Sequence, residues 1–146
     1  MTRHVDVLII GAGLSGIGTA CHLTREQTGR SYAILERRAN IGGTWDLFKY
    51  PGIRSDSDML TFGFGFRPWI GTKVLADGAS IRQYVEDTAK EYGVTDHINF
   101  GRKVLTAAFD RARPLDGHRP ARGHRRDRDL DRRLPGRCQW LLQLRR

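Results

Sequence analysis

The pattern of apolar residues predicts a buried strand, a glycine-rich turn and a helix at the start of the chain. Residues 5 to 10 are apolar apart from Asp6, as expected of a strand buried on both faces of a parallel sheet. Glycines with G-x-G-x-x-G spacing follow at Gly11, Gly13 and Gly16. The helix predicted over "LSGIGTACHLTRE" has as its inward positions Leu14, Ile17, Cys21 and Leu23.

A second apolar segment, "SYAILE", predicts another buried strand that ends at Glu36, twenty residues after Gly16. In a βαβ unit of this kind the glycine turn lets backbone approach a pyrophosphate, and the helix N-terminus attracts its charge. A carboxylate at this distance accepts hydrogen bonds from ribose hydroxyls. The order of elements therefore predicts dinucleotide binding, although a turn that merely connects strand to helix is the alternative. Glu36 would repel a 2′-phosphate, which favours FAD or NAD over NADP.

The second half of the pattern predicts one more helix and further strand structure. The segment "ASIRQYVEDTAKEYG" has helical periodicity and a plausible stop at Gly93. Its predicted buried face consists of Ile81, Tyr84, Val85, Thr88, Ala89 and Tyr92. The following "HINFGRKVLTAAF" alternates enough to predict a strand or a hairpin. The predicted fold class is α/β, a partial Rossmann-type dinucleotide-binding domain with a first βαβ unit, a loop region, a helix and a strand.

Composition limits the domain count and separates the end of the chain from the rest. A length of 146 residues suits one domain. The net charge of +9 is uneven, because residues 1 to 108 carry a net +2 and residues 109 to 146 a net +7. Two cysteines form neither a disulfide framework nor a metal motif, and the first apolar run is too short for a signal sequence or membrane span. These features predict a cytoplasmic protein without a transmembrane segment or metal site.

The segment after Glu36 resembles a known family. "GGTW" at residues 42 to 45, "YPGIRSDSDM" at 50 to 59 and "FRPW" at 66 to 69 are similar to motifs of class B flavoprotein monooxygenases. This family comprises Baeyer–Villiger and flavin-containing monooxygenases, and the chain looks most like the actinobacterial subgroup that includes the ethionamide-activating monooxygenase. The resemblance spans residues 3 to about 107, and these combined motifs are far more specific than the glycine turn.

The resemblance implies the positions of a cofactor site. It places the FAD pyrophosphate at Gly11 to Gly16 with Ser15 nearby, and the adenosine ribose at Glu36. Residues implied to line the flavin side are Thr44, Trp45, Asp46 and Leu47. Residues implied to lie where flavin and nicotinamide meet are Arg54, Ser55 and Asp56, and Val104 would meet the adenine through its backbone. Ordinary roles remain open, with Trp45 and Val104 as core residues, Arg54 as a solvated charge and "SDSD" as a helix N-cap pair.

The resemblance also implies an activity for the full-length family. In that family NADPH reduces FAD, and the reduced flavin uses O2 to oxygenate ketones or heteroatoms such as sulfur. No catalytic residue is predicted within this chain, because the implied NADPH motif and oxygenation machinery would lie beyond residue 146. We therefore predict that this chain is an inactive FAD-binding fragment. The alternatives are a stand-alone FAD or NAD binding module and a protein that interacts through its basic tail.

The tail from residue 109 has a different amino-acid alphabet from the rest of the chain. It contains no Lys, Glu, Ile, Val, Met, Ser, Thr, Asn or Tyr. Most of its residues are Arg, Pro, Gly, Ala, Leu, Asp and His, which GC-rich codons give in a wrong frame. With one permitted choice of codons, a single frame offset turns one window of the tail into a plausible strand and another into sequence similar to a Gly-Tyr-Tyr-Asn segment of the family. We interpret residues 109 to 146 as a disordered, frameshifted tail whose junction lies between residues 107 and 113. A solvated disordered tail and, less well supported, a nucleic-acid-binding arm are the alternatives.

Overall fold

Two three-stranded sheets organise the chain. The computed structural model describes residues 5–110, 132–134 and 138–145, and the side chains of residues 5–107. The parallel sheet has the order β1-β2-β3 and consists of β1 (Val7–Ile10), β2 (Tyr32–Leu35) and β3 (Ile98–Asn99). The antiparallel sheet has the order β4-β6-β5 and consists of β4 (Lys103–Asp110), β5 (Arg132–Leu134) and β6 (Cys138–Arg145).

In the described part of the chain, four α-helices and one short 3₁₀-helix lie between β1 and β3. The α-helices are α1 (Leu14–Arg25), α2 (Thr44–Leu47), α3 (Met59–Phe62) and α4 (Gly78–Glu91), and the 3₁₀ turn is Thr95–His97. The predicted first βαβ unit is therefore confirmed, with β1 and β2 parallel and α1 between them. No helix in the described part of the chain is long and apolar enough to cross a membrane.

The central strand and two helices form the main core. All four residues of β2 are buried, because β2 has a strand on each side. The helix α1 buries Ile17 and Cys21, and Leu14 and Leu23 pack against the same core as partly buried residues. The predicted inward face of α4 is confirmed, since five of its residues are buried and Tyr92 is partly buried.

The ends of α4 show why this helix has the bounds that it has. Asp77 caps its N-terminus by accepting a hydrogen bond from the Ser80 N–H at 2.9 Å. At the other end Gly93 has a φ of +66°, the left-handed conformation that the predicted stop requires. The Gly93 N–H then donates to the Lys90 carbonyl and the Val94 N–H to the Ala89 carbonyl. These two bonds form a Schellman motif, which ends the helix and buries Val94.

The segment predicted as a strand or hairpin forms two strands that do not pair with each other. β3 continues the parallel sheet beside β2, whereas β4 pairs with β6 in the antiparallel sheet. Gly101, with a φ of +67°, lies in the short turn between them. The hairpin alternative is wrong because this turn redirects the chain from one sheet to the other.

The predicted disorder of residues 109 to 146 also needs correction. Residues 132–134 and 138–145 are strands, and the predicted boundary at 108 falls inside β4. The prediction rested on charge and composition, but a β-ladder is made by backbone groups. The apolar stretch "WLLQL" is compatible with that pairing along the edge of β4. Residues 111–131 and 135–137, where most of the predicted tail lies, are outside the described residues.

Candidate dinucleotide-binding site

The glycine turn after β1 packs directly under the first turn of α1. The Gly11 N–H donates to the Leu35 carbonyl at 2.8 Å, so the turn, which follows β1, starts beside the end of β2. A Cβ added at Gly16 would lie 2.0 Å from the Gly11 carbonyl oxygen, which leaves room only for glycine. This close approach directs the first-turn N–H groups of α1, which have no partners within the helix, toward the space beyond the turn. Those groups suit an anionic pyrophosphate.

Glu36 lies beside this turn and is nearly buried, with 6% of its surface exposed. One carboxylate oxygen accepts the Ala12 N–H at 2.8 Å, and the other accepts the Arg38 N–H at 2.8 Å. A carboxylate has about four acceptor positions, so further hydrogen bonds remain available for ribose hydroxyls. The predicted ribose acceptor and the predicted phosphate turn are therefore adjacent in space.

The Gly42–Gly43 turn forms a second wall against the glycine turn. The Gly42 N–H donates to the Ala12 carbonyl at 3.0 Å. A Cβ added at Gly43 would lie 2.9 Å from the Gly13 Cα, so the two turns touch through backbone. The two glycine turns thus meet through backbone beside the N-terminus of α1, an arrangement that suits the pyrophosphate of a dinucleotide.

The four residues implied to line the flavin side form α2, directly after this second turn. Thr44 and Leu47 are exposed, and Trp45 is partly buried against the core, with its ring 6.0 Å from that of Phe62 in an edge-to-face contact. Asp46 is buried and accepts a hydrogen bond from the Asn40 amide at 3.2 Å. Thr44 and Leu47 are accessible to a ligand, whereas Asp46 already has a structural partner.

Arg54, Ser55 and Asp56 lie on the segment that pairs with the start of α4. Arg54 is exposed and forms an isolated antiparallel bridge with Asp77, and it lines an open groove of about 560 Å³ with Lys73 and Leu75. The buried Ser55 hydroxyl donates to the Ser57 carbonyl at 2.7 Å and accepts the Ser57 N–H. Asp56 is exposed. The segment is joined to α2 through Gly78, where a Cβ would meet both Ile53 and Trp45.

The N-cap interpretation of "SDSD" applies to its last residue. Asp58 accepts the Thr61 N–H at 2.8 Å and caps α3. This hydrogen bond lowers the pKa of the Asp58 carboxyl below its usual value. Asp58 is therefore a capping residue, and Asp56 is the acid of this segment that remains exposed without a cap role.

Val104 is placed next to the ribose acid from the opposite side. Its partly buried side chain packs against Leu35 and Leu8 in a small second core. The neighbouring Arg102 N–H donates to the Glu36 carbonyl at 2.8 Å. The structure thus brings Val104 close to the end of β2, and the core role that the sequence left open for its side chain is confirmed.

The sequence did not single out several residues that organise this site. Ala12 and Arg38 supply the N–H groups that hold the Glu36 carboxylate, and the Arg38 side chain donates from Nη1 to the Gly43 carbonyl at 3.0 Å. Asn40 holds Asp46. The sequence offered one signal for Arg38, namely that it lies two residues after Glu36. Cys21, in contrast, is a buried free thiol whose pKa burial raises to about 11, as its predicted apolar role requires.

Comparisons with known proteins agree with the fold. Residues 9–74 match the family model of an NAD(P)-binding Rossmann-like domain. MymA of Mycobacterium tuberculosis strain H37Rv, named as an FAD-containing monooxygenase, is 68% identical over 109 residues, which cover 75% of this chain and 22% of MymA. The FAD-containing monooxygenase EthA of Mycolicibacterium smegmatis is 59% identical over 112 residues, covering 77% of this chain and 23% of EthA.

Solved structures give the same result. A steroid monooxygenase bound to NADP matches with a TM-score of 0.67 and 29% identity, over 74% of this chain and 21% of that protein. Cyclohexanone monooxygenase from Rhodococcus sp. Phi1 bound to NADP+ matches with a TM-score of 0.65 and 28% identity, over 73% and 21%. The chain thus spans about a fifth of the length of these relatives. The resemblance found in the sequence is confirmed, because the homologues of this chain are FAD-containing monooxygenases and its structural neighbours are Baeyer–Villiger monooxygenases.

Proposed function

We propose that this chain supplies the FAD-binding N-terminal part of an NADPH- and O2-dependent flavin monooxygenase. The observation that carries the proposal is the contact between Glu36 and the glycine turn, in which the buried carboxylate accepts the Ala12 N–H at 2.8 Å. This contact supports the proposal, because a dinucleotide requires a ribose acceptor beside its pyrophosphate site. The names of the relatives support FAD as that dinucleotide.

In this proposal the residues of the chain bind and orient FAD. The first turn of α1 holds the pyrophosphate, Glu36 holds the ribose, and the Gly42–Gly43 turn and the exposed Thr44 and Leu47 border the flavin. Arg54 and Asp56, both exposed, face the place proposed for the meeting of flavin and nicotinamide. When bound, FAD supplies the redox chemistry that turns O2 into an oxygenating agent.

The substrate of the complete enzyme is proposed only as a class. A ketone or a thioether is the class that the family resemblance favours, and one of the structural neighbours is a cyclohexanone-bound cyclohexanone monooxygenase. We further propose that the FAD-binding part comprises about the first 108 residues, with β4 running across its end to Asp110, and the matched lengths of 109 to 112 residues are consistent with this extent. The cytoplasmic location and the frameshift origin of residues 109 to 146 stay predictions from the sequence.

Substitutions at Glu36 test the proposal directly. We expect Glu36→Ala to weaken FAD binding by roughly 1.5 to 3 kcal/mol for each ribose hydrogen bond to the charged group that is lost. Glu36→Gln keeps an acceptor oxygen and should lose less. FAD affinity is measured by flavin fluorescence at equilibrium, and circular dichroism verifies that each variant retains its secondary structure.

Glu26→Ala is the matched control, because Glu26 is an exposed acid at the far end of α1 whose carboxylate lies 3.5 Å from His22 Nδ1. This control should bind FAD like the parent chain. Equal FAD affinity of the parent and Glu36→Ala would contradict the proposed role of Glu36. Binding of NAD with no measurable binding of FAD would instead support a stand-alone NAD module, and salt-sensitive DNA binding without either would favour the basic-tail alternative.

A further inference from the structure

Four hydrogen bonds form a closed ring. The ring joins the first glycine turn, the end of β2 and the second glycine turn, Gly42–Gly43. The Ala12 N–H donates to Glu36, and the Arg38 N–H donates to the other oxygen of the same carboxylate, both at 2.8 Å. The Arg38 guanidinium then donates to the Gly43 carbonyl at 3.0 Å. The Gly42 N–H closes the ring by donating to the Ala12 carbonyl, also at 3.0 Å. Arg38 is therefore the link between the end of β2 and the second glycine turn.

The second glycine turn needs such a link because its backbone has little conformational preference of its own. Gly42 has a φ of +130° and Gly43 a φ of +57° with a ψ of −117°. Glycine reaches these angles readily but loses more conformational freedom on ordering than any other residue. The turn must also stay within contact distance of Gly13, where a Cβ on Gly43 would clash. A hydrogen bond from a charged donor is among the stronger ways to hold it there.

The neighbouring arginine provides an internal comparison. Arg37 is exposed, and its side chain has no hydrogen bond or ion pair among the described residues, whereas Arg38 is partly buried and bonded to Gly43. The two side chains have the same charge and adjacent positions. Of these two arginines, only Arg38 donates a hydrogen bond to the second glycine turn among the described residues, so its role does not follow from charge alone.

We propose that Arg38 is a positioning residue of the dinucleotide site. Its guanidinium holds the Gly43 carbonyl so that the Gly42–Gly43 turn stays against the first glycine turn before any ligand arrives. The ordering cost of that turn is then met on folding and not on binding, which raises the affinity for the dinucleotide. The benefit of this contact for dinucleotide binding rests on the proposed function. The hydrogen bond itself is seen in the structure.

Amide hydrogen exchange on the 146-residue chain tests the contact without a ligand. In the parent we expect protection of Gly42 and its neighbours in the segment 40–47. Arg38→Ala should raise exchange there by about tenfold or more, the loss expected for one charge-assisted hydrogen bond. Arg37→Ala should leave exchange unchanged, and Arg38→Lys should restore part of the protection. Exchange within α4 should be the same in all four proteins, which separates local positioning from global destabilisation.

FAD titration of the same four proteins tests the purpose. We expect Arg38→Ala to lower FAD affinity about tenfold relative to the parent, with Arg37→Ala unchanged and Arg38→Lys intermediate. Rapid exchange of segment 40–47 in the parent, or equal exchange in Arg38→Ala, overturns the positioning role. A protected segment in a chain that binds no FAD contradicts the proposed function and leaves the Arg38 contact established. FAD binding with equal affinity in parent and Arg38→Ala overturns the proposed benefit for binding.

Discussion

At the scale of single residues, the site depends on glycine positions where a side chain would clash with neighbouring backbone atoms. The strongest example is Gly16, where an added Cβ would lie 2.0 Å from the Gly11 carbonyl oxygen. Backbone atoms cannot move aside as a flexible side chain can. Gly16→Ala must therefore displace the start of α1 from the glycine turn, and it should weaken both the fold and the phosphate site.

We expect Gly16→Ala to lower the free energy of unfolding by roughly 1 to 3 kcal/mol, the usual cost of overpacking. Urea unfolding followed by circular dichroism measures this change. Gly65→Ala is the control, because a Cβ at Gly65 meets no atom within 4 Å and its φ is not positive. A Gly16→Ala chain as stable as the Gly65→Ala chain would show that the turn relaxes without cost.

Cys21 gives a prediction on pH. Burial raises the pKa of its thiol from 9.0 to about 11, so the folded state favours the neutral form. The thiol therefore supports folding fully below pH 9.0, and this contribution is lost as the pH rises toward about 11. The difference in unfolding free energy between the parent and Cys21→Ala should shrink by roughly 1 to 3 kcal/mol across that window. A constant difference across the window would contradict the prediction.

At the scale of elements, α4 depends on its cap. The Asp77 carboxylate accepts the Ser80 N–H and hydroxyl, and these bonds lower the pKa of Asp77. We expect Asp77→Ala to destabilise the fold by about 1 kcal/mol and Asp77→Asn to lose less, since Asn is also a good cap. The control is Asp87→Ala, which removes a partly buried acid of the same helix that accepts a hydrogen bond from Gln83 and does not cap the N-terminus. Thermal unfolding at neutral pH compares the three variants.

The cap contribution of Asp77 should also depend on pH in the acid range. Because the folded-state pKa lies below the ordinary value of 3.8, the contribution is present above that value and lost as the pH falls through the folded-state pKa. Parent and Asp77→Ala should therefore converge in stability on acidification. If the parent and Asp77→Ala differ in stability by the same amount at neutral and at strongly acid pH, the charge of the Asp77 carboxylate does not contribute to the cap.

The elements that the sequence predicted well share a strong local signal. The strands β1 and β2 and the helices α1 and α4 have apolar patterns of the right period, and Gly93 marks the end of α4 by its left-handed φ. The helices α2 and α3 have four residues each, too few to show any period. The assignment of β3 and β4 to different sheets depends on partners far away in sequence, so the local alternation could not decide it.

The same limit applied to the site: its local spacing could be predicted from the sequence, and its long-range contacts could not. Spacing alone located the glycine turn and Glu36, because the βαβ unit fixes the distance between them. The hydrogen bonds from Ala12 and Arg38 to Glu36 require the folded backbone, and the contact of Gly43 with Gly13 joins residues 30 positions apart. Such contacts leave no trace in residue type or period. Resemblance to a family pointed to residues 44 to 47, and physical pattern did not.

At the scale of the whole molecule, the parallel sheet has an open side. In the described part of the chain β1 pairs only with β2, and Ile10 at its end is 60% exposed. Parallel sheets are normally buried on both faces and extended by further strands. The relatives are more than four times longer than the matched stretch, since that stretch covers 22% of MymA. The open edge of β1 is therefore a place where the isolated chain should associate with itself.

The last prediction is that the purified 146-residue chain does not catalyse oxygenation. Turnover requires a hydride donor held against the flavin and a site from which water is excluded. The described residues offer an open groove at Arg54 and exposed Thr44 and Leu47 on the flavin side. A fold whose parallel sheet is, among the described residues, open at both edge strands, β1 and β3, also has little margin when whole domains are stable by only ~5 to 15 kcal/mol. We expect weak retention of FAD, a tendency to aggregate, and NADPH consumption at the rate of free flavin.

The assay combines the chain with FAD, NADPH, O2 and a panel of ketones and thioethers, and detects oxygenated product by mass spectrometry. A full-length relative such as EthA serves as the positive control. Product above the free-flavin background would show that the FAD-binding part can oxygenate without the remainder of the enzyme.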